Sequence, residues 1–351
     1  MRIQFSEATL QEMRWRPIVE VILLLIEDGR HWIDLPDIES VKNNYYAVDK
    51  TGSGATIEML KQRAKAASFS AVASGPTVQI DPSAPPGGKV DFAERTTSVP
   101  PLDAVYFLSQ PFAVVLENDW YDGGFLLWMA KALNYQDFLK NYRLRRFEFK
   151  NAGGKTGLTR SAQAMSTGVW PLRNGGTDRA FRLWNGVMLD SDAKHPDHAP
   201  NASIREECSE HSAWVVELKA RSIENYLPLV AMLKAVNGKP PIERTRVRAY
   251  FNMSDAQRRH FHMKSGFAIK GNDAPDKQTF LAAADVPQEV KNLYSSVPDH
   301  DWAALAPGFG SSLSRIYSDE SERPDTGQVV FPSETLKLDV ESILKKIVGS
   351  I

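Results

Sequence analysis

The chain has 351 residues, with 42 Lys and Arg, 43 Asp and Glu, and a formal net charge of −1. Hydrophobic residues make up 42% and charged residues 24%, which excludes collagen-like repeats, a wholly disordered chain and an integral membrane protein. The one cysteine, Cys208, excludes a disulfide framework and any zinc site that needs two thiolates, and it fits a reducing compartment.

The N-terminal region, residues 1–102, is predicted to be mostly helical or α+β. Residues 12–26 and 57–67 have the length and composition of helices, and the proline- and glycine-rich segment 72–102 suits a linker or a loose hairpin. The apolar run at residues 18–26 is far shorter than the about 20 residues that span a bilayer. Because it also has no signal-peptide cleavage pattern, we expect a buried helix and a cytoplasmic protein.

Strands alternate with helices in the middle of the chain, residues 103–235. We expect strands at 104–116, 146–149, 184–189 and 213–218, with a helix from about 124 to 133 and another opening near 223. This alternation predicts parallel pairing and an α/β domain. Residues 236–351 are then an accessory C-terminal domain, helical or α+β.

Carboxylates follow three of the four predicted strands, where Glu117, Asp190, Asp192 and Glu217 stand. Ligands of parallel sheets bind at the carboxyl ends of the strands. Converging carboxylates repel one another unless they are paired, solvated or bound to a metal. Oxygen ligands favour Mg²⁺ or Mn²⁺, and the Asp-x-Asp spacing places Asp190 and Asp192 on one side of an extended backbone.

Four short motifs resemble those of the Toprim domain: Leu116-Glu117, Gly153-Gly154-Lys155, Leu189-Asp190-Ser191-Asp192, and Arg221-Ser222-Ile223-Glu224-Asn225-Tyr226-Leu227. The resemblance covers about residues 104–230. It is nearest to Toprim nucleases of the overcoming-lysogenization-defect (OLD) type and to related effectors of bacterial anti-phage systems such as PARIS. It implies a Rossmann-like, mostly parallel Toprim domain and a Mg²⁺-dependent nuclease that acts as an anti-phage effector.

The resemblance also implies roles for individual residues. Glu117 would be a metal ligand or general acid/base, Asp190 and Asp192 would bind Mg²⁺, and Glu224 would complete a second metal position. The family often has an acid four residues after the first glutamate, where this chain has Tyr121 between Asp119 and Asp122. The candidate metal ligands are therefore Glu117, Asp122, Asp190, Asp192, Glu217 and Glu224.

Phosphodiester cleavage in line needs an activated water and positive charge on the attacking and leaving oxygens. A glycine turn lets the backbone approach a phosphate, and a lysine neutralises the developing charge. The candidate phosphate-binding residues are Gly153, Gly154, Lys155, Arg221 and Lys264. Lys155 joins Glu117, Asp190 and Asp192 as a catalytic candidate.

Two segments, 143–182 and 244–270, are rich in Lys and Arg and would suit a nucleic-acid partner, either DNA or RNA such as tRNA. Aromatic residues lie among these charges, and we expect them to pack in the core rather than stack on bases. They are Trp170, Trp184, Tyr250 and Phe251. His260-Phe261-His262 offers imidazoles without the further ligands of a zinc site.

Two other functions stay open. A non-catalytic Toprim-fold regulator or adaptor would bind nucleic acid or a partner ATPase, and a nucleotide-binding protein would use Gly154-Lys155-Thr156. A P-loop is not favoured, because Phe149 stands where that motif needs a glycine. An ABC- or SMC-like ATPase acting in trans is thus the expected partner, and a homo-oligomer is also consistent with the sequence.

Overall fold

A computed structural model describes residues 1–29, 31–43, 58–62, 64–65, 75–167, 180–269, 275–324 and 329–351. The strands are β1 (Arg2–Phe5), β2 (Trp32–Ile33), β3 (Thr77–Ile80), β4 (Lys89–Asp91), β5 (Thr96–Val99), β6 (Phe112–Leu116), β7 (Phe147–Asn151), β8 (Asn185–Leu189) and β9 (Trp214–Glu217). The helices up to the end of the second sheet are α1 (Glu7–Gln11), α2 (Arg16–Glu27), α3 (Leu35–Val41), α4 (Pro101–Ser109), α5 (Tyr121–Ala132), α6 (Gln136–Arg143), α7 (Leu158–Thr167) and α8 (Ala202–Ser209). Those that follow are α9 (Leu229–Ala235), α10 (Pro241–Asn252), α11 (Asp255–His260), α12 (Lys277–Ala282), α13 (Gln288–Tyr294), α14 (Asp299–Leu305), α15 (Arg315–Ser318) and α16 (Glu334–Val348).

The N-terminal region contains a five-stranded sheet in the order β2-β1-β3-β5-β4, parallel except for the edge strand β4. The mostly helical alternative and the linker at 72–102 were therefore wrong, whereas the region does combine helices with strands, and β4 and β5 form an antiparallel hairpin in that segment. Its prolines and glycines lie in the turns, while β3 and β5 each alternate between half-buried and buried residues. Such short strands are stabilised by pairing with other strands, as β3 is by the distant β1, and only their turn signals stand out locally.

The central sheet has the order β7-β6-β8-β9 and every pair is parallel, which confirms the α/β prediction for this region. The strand predicted at 104–116 is half wrong, because residues up to Ser109 form α4 and only Phe112–Leu116 is extended. Pro101 at the first helical position favours a helix start, and periodicity does not distinguish a buried helix from a buried strand over a short apolar run.

Both faces of the central sheet are covered. Val115, Val187 and Leu189 pack with residues of α7 and α8 in a small core that includes Cys208. The alternate residues Val114, Leu116 and Met188 face the larger core, to which α5 and the C-terminal helices also contribute. Because β6 and β8 are buried on both sides, β6 is a continuous apolar run, and β8 is apolar from Val187 to Leu189 after the buried Asn185.

Among the described residues after 236, the regular elements are helices. Of the two predicted alternatives for this region, helical and α+β, the helical one is observed. The large core runs from Met1 to Ile347 and so joins all three predicted domains. Trp184 and Tyr250 are 3% and 0% exposed in this core, which confirms the prediction that they pack there and do not stack on bases. Trp170 lies outside the described residues. Within the described ranges, no helix is both long enough and apolar enough to span a bilayer.

Candidate functional site

The ends of β6 and β8 bring two of the predicted carboxylates together. Glu117 directly follows β6, and its Oε1 accepts a hydrogen bond of 3.1 Å from the backbone N–H of Asp190, which directly follows β8. Oδ1 of Asp190 accepts in turn from the backbone N–H of Ile223 at 3.2 Å. The sheet therefore links Glu117 to Asp190, and Asp190 to the Ile-Glu-Asn-Tyr motif.

Two further acids flank this pair. Glu224 lies in the 3₁₀ turn Ile223–Tyr226, which Ser222 and Asn225 hold with a reciprocal capping box. Asp122 lies in the first turn of α5, is 8% exposed, and accepts a hydrogen bond of 2.9 Å from the backbone N–H of Asn118. We define the carboxylate cluster as Glu117, Asp122, Asp190 and Glu224.

Burial first, and the charges of neighbouring acids second, raise the pKa values of Asp190, Asp122 and Glu117. Burial raises the pKa of Asp190 well above its ordinary range, and the charges of Asp122, Glu117 and Glu224 raise it further. Burial also raises the pKa of Asp122 to about 7. The hydrogen bond from Asn118 lowers this pKa, and the charges of Glu117 and Glu224 raise it. For Glu117, burial raises the pKa and Lys155 opposes that rise. A cation that enters the cluster would relieve this repulsion.

Lys155 is a cation in contact with the site. Its Nζ forms an ion pair with Asp192 and lies 3.9 Å from Oε1 of Glu117. The turn that leads to it passes through Gly153 and Gly154, whose φ angles of 71° and 103° favour glycine. The N–H of Gly154 donates to the backbone carbonyl of Glu117 at 2.9 Å, so the turn is tied to the end of β6.

The two-glycine turn leaves room in front of its backbone. A Cβ atom at either Gly153 or Gly154 would have nothing within 4 Å. At Gly157, by contrast, a Cβ atom would lie 1.9 Å from the carbonyl oxygen of Ala152, so this glycine is needed for the tight path into α7. The turn therefore combines open space with a fixed backbone, as a phosphate-binding loop requires.

Asp192 departs from the geometry expected of the Asp-x-Asp motif. Its φ angle is 51°, so the backbone at this point is left-handed and not extended. The hydroxyl of Ser191 donates to the carbonyl of Ala220, and the N–H of Asp192 donates to the carbonyl of Arg221, which turns the chain. Asp192 is consequently exposed and paired with Lys155, while Asp190 points to Ile223.

Two other candidates lie away from the carboxylate cluster. Glu217 pairs with Leu189 in the sheet register and forms a salt bridge of 3.3 Å with Arg205 of α8. The structure thus directs Glu217 to Arg205 and not to the expected metal position, because residues of one register share one face of the sheet. Lys264 is exposed in the loop after α11, beside His262 and not beside the carboxylates.

The structure adds supporting residues that the sequence motifs did not indicate. Asn118 accepts from the N–H groups of Trp120 and Tyr121 and so begins α5. Asn201 is 3% exposed and donates to the carbonyls of Asp190 and Ser191 at 2.8 Å each. An asparagine ahead of a predicted helix is a capping signal that would have found Asn118, whereas Asn201 has no local signal.

The type of donor atom in the carboxylate cluster decides which metal it could hold. Its donors are carboxylate oxygens, which suit Mg²⁺ or Mn²⁺, and burial next to other acids makes their joint ionisation unfavourable without a cation. Within the described residues, no three His, Cys, Asp or Glu side chains are already arranged as a metal-binding group. The cluster thus fits a divalent metal in the type of its donor atoms, and its side chains would have to move closer together to coordinate one.

Comparisons with protein-family models, with curated proteins and with solved structures return no significant match to this chain. The fold and site define an α/β protein with carboxylates and a lysine at the carboxyl ends of adjacent parallel strands.

The stability of the metal-free protein should fall as the pH rises through the range in which Asp122 ionises. Because the pKa of Asp122 is raised from 3.8 to about 7, the folded state keeps a proton that the unfolded state releases. At 1.4 kcal/mol per pKa unit, the loss from this group between pH 5 and 8 is on the order of 2 kcal/mol. Asp122→Asn keeps an oxygen that accepts the hydrogen bond of Asn118 but cannot ionise. The stability of this variant should therefore change less between pH 5 and pH 8 than that of the wild type.

Urea unfolding in EDTA at pH 5 and pH 8 measures this difference. Asp137→Asn, at the solvent-exposed start of α6, is the matched control and should follow the wild type. Equal pH dependence of the wild type and Asp122→Asn would contradict the assignment of the raised pKa to Asp122.

Proposed function

We propose that this chain is a metal-dependent phosphodiesterase, a Toprim-type nuclease that uses Mg²⁺ or Mn²⁺ to cleave nucleic acid. The observation that carries the proposal is the carboxylate cluster at the ends of two adjacent parallel strands, next to a lysine on an open two-glycine turn. The motif resemblance and the donor chemistry support the same reaction.

In this proposal, Glu117, Asp190 and Glu224 hold the metal, and Asp122 completes its negative surroundings. The metal supplies a lowered pKa for bound water and stabilises charge on the reacting oxygens. Glu117 is half-buried with a raised pKa, so it is suited to accept a proton from the attacking water. Gly153 and Gly154 admit the phosphate.

Lys155 has a second role in the proposed reaction. When a phosphate enters, its ammonium group moves from Asp192 to the non-bridging phosphate oxygens, where negative charge develops. Asp192 would then be released from its ion pair and exposed to solvent. The ion pair between Lys155 and Asp192 is thus the resting arrangement of two groups that act separately during cleavage.

The biological setting proposed for this activity is anti-phage defence, with an ABC- or SMC-like ATPase supplied in trans. This part rests on the sequence resemblance and on Phe149 at the position where a P-loop needs glycine. Of the basic residues in α10 and α11, the exposed Arg244 and Arg248 would serve a nucleic-acid partner, whereas Arg246, Arg258 and Arg259 are bound to other groups of the protein.

The experiment is to incubate the purified chain with supercoiled plasmid and with total tRNA in Mg²⁺, Mn²⁺ or EDTA. We expect cleavage of one substrate class with a divalent metal and none in EDTA. Absence of cleavage together with absence of metal-induced stabilisation would overturn the proposal.

A second candidate is a non-catalytic Toprim-fold regulator. The contact of Lys155 with Asp192 favours it, because the lysine already neutralises one acid of the motif. Such a binder would retain nucleic-acid affinity in Asp190→Asn and would show no metal-dependent cleavage, so gel-shift and cleavage assays on the same variant separate the two functions.

A further inference from the structure

A cavity of about 510 Å³ lies between the loops next to the carboxylate cluster and the helices α12 and α13. Polar groups of its lining include Lys194, Arg221 and His262, and apolar groups include Val286 and Val290. This volume is within the range of about 300–1,000 Å³ that is usual for small-ligand sites.

The cavity adjoins the proposed active site. Arg221 accepts the backbone hydrogen bond of Asp192 at 2.9 Å, and Lys194 is two residues beyond Asp192 in the chain. His260 donates from Nδ1 to the carbonyl of Ala193 at 3.2 Å, which fixes this side of the cavity against the same loop. A ligand held in the cavity would therefore lie next to the loop that carries Asp192.

Three side chains on one side of the lining, those of Arg221, Lys194 and His262, suit an anion, while the exposed carboxylate of Asp285 lies on the opposite wall with Val286 and Val290. The half-buried guanidinium of Arg221 makes no hydrogen bond or ion pair with any residue that the structure describes, and neither does the ammonium group of Lys194. Nδ1 of His262 accepts from the N–H of Ser265 at 3.1 Å, so its Nε2 carries the proton and donates. Burial lowers the pKa of His262 to about 4, and the charge of Arg221 lowers it too.

The apolar groups of the lining suit a planar ring. Phe267 is stacked on Trp302 with ring centroids 3.7 Å apart, which makes this wall rigid, and Val286 and Val290 complete it. His260 uses its Nδ1 proton on Ala193, so Nε2 remains an acceptor for an amino group. A nucleotide combines a planar ring, amino groups and an anionic phosphate.

We propose that this cavity accepts one unpaired nucleotide of the nucleic acid that is cleaved, with its phosphate at Arg221, Lys194 and His262 and its base against Val286 and Val290. The inference rests on the proposed function for the identity of the bound polymer. It narrows the substrate to nucleic acid with a single-stranded loop, a free end or an extruded base, because a paired base is not accessible to a cavity.

Binding of AMP, GMP, CMP and UMP to the full chain in EDTA tests the cavity without catalysis, with adenosine and inorganic phosphate as partial ligands. We expect at least one monophosphate to bind at least tenfold more tightly than either partial ligand. Val290→Trp, which fills the apolar part, should weaken that binding at least tenfold, and Ala268→Trp is a second variant of the lining. Ile242→Trp, at an exposed position of α10, should bind as the wild type does.

Cleavage of a stem–loop with an unpaired loop and of a blunt, fully paired duplex then identifies the source of the nucleotide. Val290→Trp or Ala268→Trp should slow cleavage of the stem–loop at least tenfold and leave metal-induced stabilisation intact. Normal cleavage by these variants would overturn the inference, and a free nucleotide would be the ligand if monophosphates still bound the wild type. Nucleotide binding at the cavity with no cleavage of any substrate would instead refute the proposed function and leave the cavity as a nucleotide site.

Discussion

Asp190→Asn is expected to abolish metal-dependent cleavage and, at the same time, to stabilise the metal-free protein. Asparagine keeps an oxygen that accepts the hydrogen bond of Ile223, so the local fold is retained. The substitution removes a carboxyl group whose pKa is raised by burial and by the charges of Asp122, Glu117 and Glu224. Loss of a metal ligand should reduce the cleavage rate at least about 10³-fold, the scale seen when a preorganised electrostatic group is removed.

The sign of the stability change follows from the raised pKa. The unfavourable ionisation of Asp190 in the folded state is absent below its unfolded pKa and grows as pH rises, so the gain in Asp190→Asn is largest at high pH. Urea unfolding in EDTA should therefore show a larger gain in the free energy of unfolding of Asp190→Asn at pH 8 than at pH 5. Addition of Mg²⁺ should stabilise the wild type and leave the variant unchanged.

Two variants make this result specific. Asp137→Asn changes an exposed acid of α6 and should leave both rate and stability unaltered. Glu217→Gln tests whether Glu217 is a metal ligand, as the sequence predicted, or a partner of Arg205, as the structure has it. Because of this salt bridge, we expect the variant to be stabilised by Mg²⁺ as the wild type is. Wild-type cleavage by Asp190→Asn would refute the site, and loss of Mg²⁺ stabilisation in Glu217→Gln would refute its placement.

Lys155→Gln is expected to slow cleavage about 10²-fold while increasing the affinity for Mg²⁺. The lysine neutralises developing charge on the phosphate in the proposed reaction, so its loss lowers the rate. In the resting protein, however, its ammonium group pairs with Asp192 and lies near Glu117, where it competes with a metal. Cleavage rates at saturating metal and isothermal titration with Mg²⁺ measure the two effects separately.

Lys150→Gln is the matched control. Lys150 lies on β7, just before the turn that carries Lys155, and pairs with Glu148 at 2.6 Å. It should retain wild-type cleavage and metal affinity. A fall in both rate and metal affinity in Lys155→Gln would contradict the competing role of the lysine. Stabilisation of the wild type by ATP that is lost only in Lys155→Gln would instead favour the nucleotide-binding alternative.

The amino-acid sequence determined those parts of the protein in which the signal is local. Both buried strands β6 and β8 end in an apolar run that is followed at once by an acid, so both the parallel sheet and the meeting of Glu117 with Asp190 could be predicted. The glycines at 153 and 154 likewise indicated a special turn, and both have positive φ angles.

Tertiary structure decided what depends on partners distant in the chain. The N-terminal sheet forms because β3 pairs with β1 and β5, and the direction of Glu217 is set by Arg205 across two elements. The cavity likewise joins Arg221, after the central sheet, to Val290 of a C-terminal helix. Strand pairing, ion pairing and cavity walls depend on distances in space, and a periodic pattern along the chain records only which residues are apolar and which are charged.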